Sequence, residues 1–120
     1  MSYIQGFLVP VPTHRKDDYI QMAKEAAPFF EKFGATRMME CWGDEVPEGK
    51  VTDFRRAVDL KEGETVVFSW IEWPDKASCD KATEAMENDP DMKAPDDIPM
   101  DMKRMIWGGF QPVFSFGGQD

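Results

Sequence analysis

The stretch Glu64-Thr65-Val66-Val67-Phe68-Ser69-Trp70-Ile71-Glu72-Trp73 decides the fold. It is rich in β-branched and aromatic residues and reads as a strand from Thr65 to Trp73. Successive side chains of a strand point to opposite faces. One parity carries Val66, Phe68 and Trp70, the other Val67, Ile71 and Trp73, so both faces are apolar. Helices packed on a single sheet cover one of those faces only. The other, with Phe and Trp on it, is the mark of an interaction surface. Packing two such sheets together would bury it, which leads us to expect a homodimer.

Working outward, Lys61-Glu62-Gly63-Glu64 reads as a tight turn into this strand. Residues 51–60 fit either a preceding hairpin strand (Phe54, Val58, Leu60) or a helical turn (Val51, Phe54, Val58), and the hairpin is favoured. Residues 3–11 form a first strand stopped at Pro10-Val11-Pro12. Residues 16–33 carry Tyr19, Met22, Ala23, Ala26, Phe29, Phe30 and Phe33 at spacings of three and four, one helical stripe closed by Gly34. Pro28 within it removes a backbone donor and predicts a kink. A second strand covers residues 35–43. Pro74-Asp75 opens a second helix with Ala77, Ala82, Ala85 and Met86 on its face, ended by Asp89-Pro90. Residues 91–103 are a Met- and Pro-punctuated connection, and Met105 to Phe116 is the last strand. The order is the ferredoxin-like βαββαβ of an α+β protein, an antiparallel sheet with both helices on one face. We expect one domain over residues 1–116, with residues 117–120 frayed.

Charge narrows the partners. Twenty-three acidic against fourteen basic side chains give a formal charge of -9. No basic run is longer than Arg55-Arg56 or Lys103-Arg104. Such a surface repels a phosphate backbone, so nucleic acid is not an expected partner, and anionic membranes are disfavoured too. No segment approaches the ~18 apolar residues of a membrane helix. The N-terminus lacks the basic start of a signal peptide. Cys41 and Cys79 form no C-x-x-C pair, which fits free thiols in a reducing, cytoplasmic setting.

Several residue blocks carry a resemblance. Tyr3-x-x-Gly6-Phe7, Ala26-Ala27-Pro28, Asp53-Phe54-x-x-Ala57-Val58, Glu64 to Ile71, Asp89-Pro90-x-Met92 and Lys103-Arg104-Met105-Ile106-x-Gly108-Gly109-Phe110 resemble the small bacterial YbaA-like proteins over about residues 3–112. The resemblance implies the dimeric α+β barrel, two ferredoxin-like halves packed sheet to sheet. That family is uncharacterised and brings no catalytic residues with it.

Candidate chemistry rests on few residues. Glu72 shares parity with Trp70. Enclosed there, its carboxylate would be desolvated and suited to acid–base work; at the strand end beside Trp73-Pro74 it would be a solvated carboxylate. Arg104, embedded among apolar residues, could hold an anionic ligand end or a structural ion pair. His14 is the only imidazole, a base or a polar connector. Trp70 and Trp107, with Trp42 and Trp73, could line a pocket for a planar ligand or fill the core. Met92, Met100, Met102 and Met105 fit gap filling or a lid better than soft-metal capture. No metal site is expected and no cofactor is implied: P-loop, G-x-G-x-x-G, G-x-S-x-G and H-E-x-x-H patterns are all missing. The sequence therefore points first to a dimer that binds a small apolar or aromatic molecule. Glu72 and Arg104 would hold the ligand's polar end in a cleft walled by Trp70 and Trp107. A cofactor-independent oxygenase- or isomerase-like enzyme and an interaction-only dimer are the alternatives.

Overall fold

Ten consecutive residues of the strand Glu64–Trp73 (β3) pair with ten of Tyr3–Pro12 (β1), from Tyr3 opposite Trp73 to Pro12 opposite Glu64. The computed structural model describes residues 2–88 and 97–117. Arg37–Trp42 (β2) flanks β3, and Ile106–Phe110 (β4) flanks β1. The antiparallel order β2-β3-β1-β4 is that of the ferredoxin-like fold. A single 3-10 turn, Thr13–Arg15, leads into helix Lys16–Lys32 (α1), and Lys76–Glu87 (α3) follows β3.

Local chemistry sets most of these limits. The predicted stripe of α1 is turned inward, with Tyr19 buried and the remaining members half-buried. The helix passes through Pro28 without ending. Gly34 stops it at φ +107°, a conformation costly for any side chain with a Cβ. In α3, Asp75 caps the first turn by accepting the Ser78 N–H at 2.7 Å. Its inward face is Cys79 and Ala82, whereas Ala77 is exposed.

Two expectations are corrected. Residues 51–60 form no hairpin strand, because β2 and β1 occupy both edges of β3. The helical alternative holds for one turn, Phe54–Ala57 (α2). Asp53 caps it, accepting the N–H groups of Arg56 at 2.7 Å and Gly49 at 3.0 Å, and Val58 anchors the loop in the interior. The last strand ends at Phe110, not Phe116. Phe110 already lies opposite Ile4, near the start of β1, and Pro112 has no N–H for a ladder. The expected helix stop at Asp89-Pro90, Met92 of the methionine group, and residues 118–120 of the frayed tail lie outside the described residues.

Register assigns the two faces. Tyr3, Gln5, Phe7, Val9 and Val11 of β1 share the helix side with Thr65, Val67, Ser69, Ile71 and Trp73 of β3. The opposite face carries Met39 and Cys41, Val66, Phe68 and Trp70, Leu8, Ile106 and Phe110, and neither α1 nor α3 covers it. Phe68 there is 47% exposed and Phe110 59%. No described helix is long and apolar enough to cross a membrane.

Arg104 ties the segment before β4 to the start of β3. Its guanidinium donates to both carboxylate oxygens of Glu64 (2.8 and 2.7 Å), to Asp101 (2.7 Å) and to the Asp59 carbonyl (2.9 Å). Beside that guanidinium the carboxyls of Glu64 and Asp101 are held below their ordinary pKa. Nearby, Met100 and Met105 pack on the cluster of Val9, Val11, Tyr19 and Val67. The clamp predicts that Arg104→Ala lowers stability by about 1–2 kcal/mol at pH 7, the scale of charge-assisted hydrogen bonds that are partly solvent-screened. A group with a lowered folded pKa stabilises above its ordinary value of about 4.3 and loses that contribution as pH falls through the folded value. In urea titrations the gap between wild type and variant should therefore narrow below about pH 4. A gap independent of pH would contradict the clamp.

Candidate functional site

The helix side of the sheet is not completely filled. Phe7 lies opposite Trp107 of β4, so that indole faces the helices, where it is 65% exposed. Next to it Gly109 has no side chain because the Tyr3 phenol occupies the place of a Cβ. Trp73 is fully buried beneath, and its Nε1–H donates to Gln5 Oε1 at 2.9 Å, which satisfies the indole's one polar atom in an apolar setting. Phe30 of α1, Met86 of α3, and Met102 and Met105 of the segment before β4 line the space with them. The result is an open, mainly apolar cleft of about 400 Å³. An adjoining groove of about 250 Å³ shares Gln5, Thr83, Glu87 and Trp107 with it and runs along α3 past Asp80 and Glu84. Asp80 is paired with Lys76 at 2.7 Å.

A second constellation sits between α1 and β2. The Tyr19 hydroxyl donates to Glu40 Oε1 at 2.6 Å, and Ser69 lies directly across the ladder from Glu40. Glu40 lies on an edge strand and exposes part of its surface, but its carboxyl is tucked under α1. Burial there raises its pKa above the ordinary carboxylate range, although the two hydroxyls lower it in part. Burial and the neighbouring carboxylate push the Tyr19 phenol up as well. A weakened acid beside two hydroxyls can hold or pass a proton.

The residues singled out from the sequence do not converge. Trp70 lies opposite Gly6 and Trp107 opposite Phe7, so the two indoles are on opposite faces. Trp70 is on the open face, where Arg37 stacks over its ring at 5.4 Å. Glu72 shares that face and accepts a hydrogen bond from the Thr36 hydroxyl at 3.1 Å. Arg104 is committed to Glu64, eight residues and roughly 26 Å along β3 from Glu72. The expected joint cleft of Glu72, Arg104, Trp70 and Trp107 is thus corrected: only Trp107 lines the helix-side cleft. His14 is exposed in the 3-10 turn. Among the described residues no three His, Cys, Asp or Glu side chains converge as metal ligands. Gln5, Phe7, Tyr19 and Glu40 were missed. The lone polar residues Gln5 and Glu40, each inside an apolar strand, were the available signal.

Comparison with known proteins places this geometry. Residues 2–102 match the family described as protein of unknown function (DUF1428). The chain is 54% identical over 114 residues to the uncharacterized protein YbaA of Escherichia coli K12, covering 94% of this chain and 97% of that protein. YbaA of Shigella flexneri matches to the same extent. Among solved structures, a dimeric ferredoxin-like protein from an uncultured marine organism superposes with a TM-score of 0.57 over 97% of this chain and 100% of that one. At 11% identity it shares the fold.

The Tyr19–Glu40 pair gives a signed prediction. Glu40→Ala leaves the buried Tyr19 hydroxyl without its acceptor and should cost about 1–3 kcal/mol. Glu40→Gln keeps an acceptor and removes the desolvated charge. A carboxyl whose folded pKa is raised stabilises below its ordinary value and loses that contribution as pH rises through the folded one. Glu40→Gln should therefore gain on the wild type as pH rises from about 4.3 toward 7 in urea unfolding. Equal slopes with pH would show that the carboxyl is not desolvated.

Proposed function

The chain belongs to the DUF1428 family, and we propose that it works as a cytoplasmic homodimer whose protomers each bind a small apolar or aromatic molecule in the helix-side cleft. The observation that carries this reading is Trp107. A large indole, two-thirds exposed, faces an apolar recess whose floor is already hydrogen-bonded through Trp73 and Gln5. Recesses of this size with aromatic walls and few polar groups suit small planar ligands. Asp80, Glu84 and Glu87 border the mouth and disfavour anionic ligands, so neutral aromatic or quinone-like compounds fit best. The dimer is supported by the uncovered apolar sheet face and by the dimeric assembly of the ferredoxin-like neighbour. The cytoplasmic placement is supported by the free thiols Cys41 and Cys79. The whole unit is one domain over residues 1–116.

A second reading, an acid–base enzyme on the same scaffold, is favoured by one observation. The Glu40 carboxyl is a weakened acid, hydrogen-bonded by the Tyr19 hydroxyl and directly across the ladder from Ser69. On that reading a compound bound nearby is turned over, and Glu40→Gln stops turnover without stopping binding.

Neutral quinones and planar aromatics, screened by thermal shift and tryptophan quenching, test the proposal. A true ligand should raise the melting temperature of the wild type. Trp107→Ala should weaken it at least about tenfold, the scale of losing one aromatic wall. Glu72→Gln, on the other face, should leave binding unchanged. A hit insensitive to Trp107→Ala, or no hit across the panel, would overturn the cleft reading.

A further inference from the structure

Past β4 the chain continues through Gln111–Phe116 in neither helix nor strand, and its apolar side chains find no cover in their own domain. Val113 is 95% exposed, Phe114 84% and Phe116 94%. Among the described residues, no backbone hydrogen bond ties this segment to the rest. Three large apolar groups within four residues are an interaction feature, not a solvated tail.

We propose that Gln111–Phe116 is an arm that packs on a second copy of this chain, with Phe114 and Phe116 seated on the copy's open sheet face. This rests on the dimer reading above and deepens it. Area supplies the first argument. With strands rising ~3.3 Å per residue and ~4.8 Å apart, the flat outline of the open face is about 500 Å². A stable interface needs roughly 800 Å² from each partner. Two aromatics bury about 150–250 Å² each, which closes that gap.

Geometry supplies the second. The open face has a dent of about 280 Å³ between Leu8, Phe54, Phe68, Ile106 and Phe110, floored by the side-chain-free Gly6. β4 runs from Ile106 toward Phe110 and so carries the arm away from Phe54 and Phe68. Gln111, preceding Pro112, is held extended, which opposes doubling back. A two-fold axis that stacks two open faces with strands reversed sets the end of one β4 over the beginning of the other. Six extended residues reach up to about 20 Å, enough to cross four strands.

Sedimentation equilibrium of the wild type and of Phe114→Ser/Phe116→Ser tests the arm. The wild type should be a dimer at low micromolar concentration. The variant should keep its far-UV circular dichroism while its dimer dissociation constant rises by about 100-fold or more, the scale of removing two buried aromatics. If both dimerise equally tightly, the arm is refuted and the dimer stands. If the wild type is a monomer at tens of micromolar, the dimer and the arm fall together. A variant that loses its fold also overturns the arm, since its aromatics would then belong to their own core.

Discussion

A strand that is apolar on both faces cannot be satisfied by helices on one. β3 imposes that constraint, and the rest of the structure is arranged around it. On the helix side Val67, Ile71 and Trp73 are closed over by α1 and α3, and Ser69 is buried opposite Glu40. On the other side Val66 is buried, but Phe68 and Trp70 meet neither helix. Full burial of such a side chain is worth about 1.5–3 kcal/mol relative to exposure. A sheet face with several of them is therefore a standing reason for association, and the proposed dimer follows from it.

The two faces also divide the work. The open face is apolar over its middle, with Gly6 and Gly108 side by side across β1 and β4 and charges kept to its ends, Arg37 and Glu72 at one and Glu64 at the other. The helix side carries the cleft, the Trp73–Gln5 hydrogen bond and the Tyr19–Glu40 pair. Ligand chemistry and self-association can thus vary independently, because one residue step along a strand moves a side chain from one role to the other. The segment that walls the cleft with Met102 and Met105 is fixed from outside. Arg104 binds it to the start of β3, and Arg15 holds its beginning through Asp97 at 2.9 Å.

What was legible in the sequence was what is periodic or local. Alternation along Val66 to Trp73 located the bare face, the three-and-four spacing from Tyr19 to Phe33 located α1, and Gly34 located its end. Those signals act within one element. The 51–60 loop escaped because its turn depends on where the Asp53 carboxylate goes, and a strand and a helical turn make the same use of Phe54 and Val58. Of the two readings of Arg104 the structural ion pair is the one present, but its partner, Glu64, could not be named because it lies forty residues away. Trp70 and Trp107 were placed together because parity alternates within a strand but is fixed between strands only by register. Glu72 and Arg104 failed to meet for the same reason. The aromatics of the arm were read as strand because nothing local marks the point where the neighbouring strand runs out.

The central claim, that the open face of the sheet is covered by a second copy of the chain, is most directly tested by its mass in solution when one charge is placed in the middle of that face. Phe68→Lys puts an ammonium group on each of the two surfaces that would meet and leaves the helix-side core untouched. The account predicts twice the 13.8 kDa chain mass for the wild type and a folded 13.8 kDa monomer for Phe68→Lys at the same low micromolar concentration. A wild type that sediments at 13.8 kDa, or a Phe68→Lys variant as dimeric as the wild type, would contradict it.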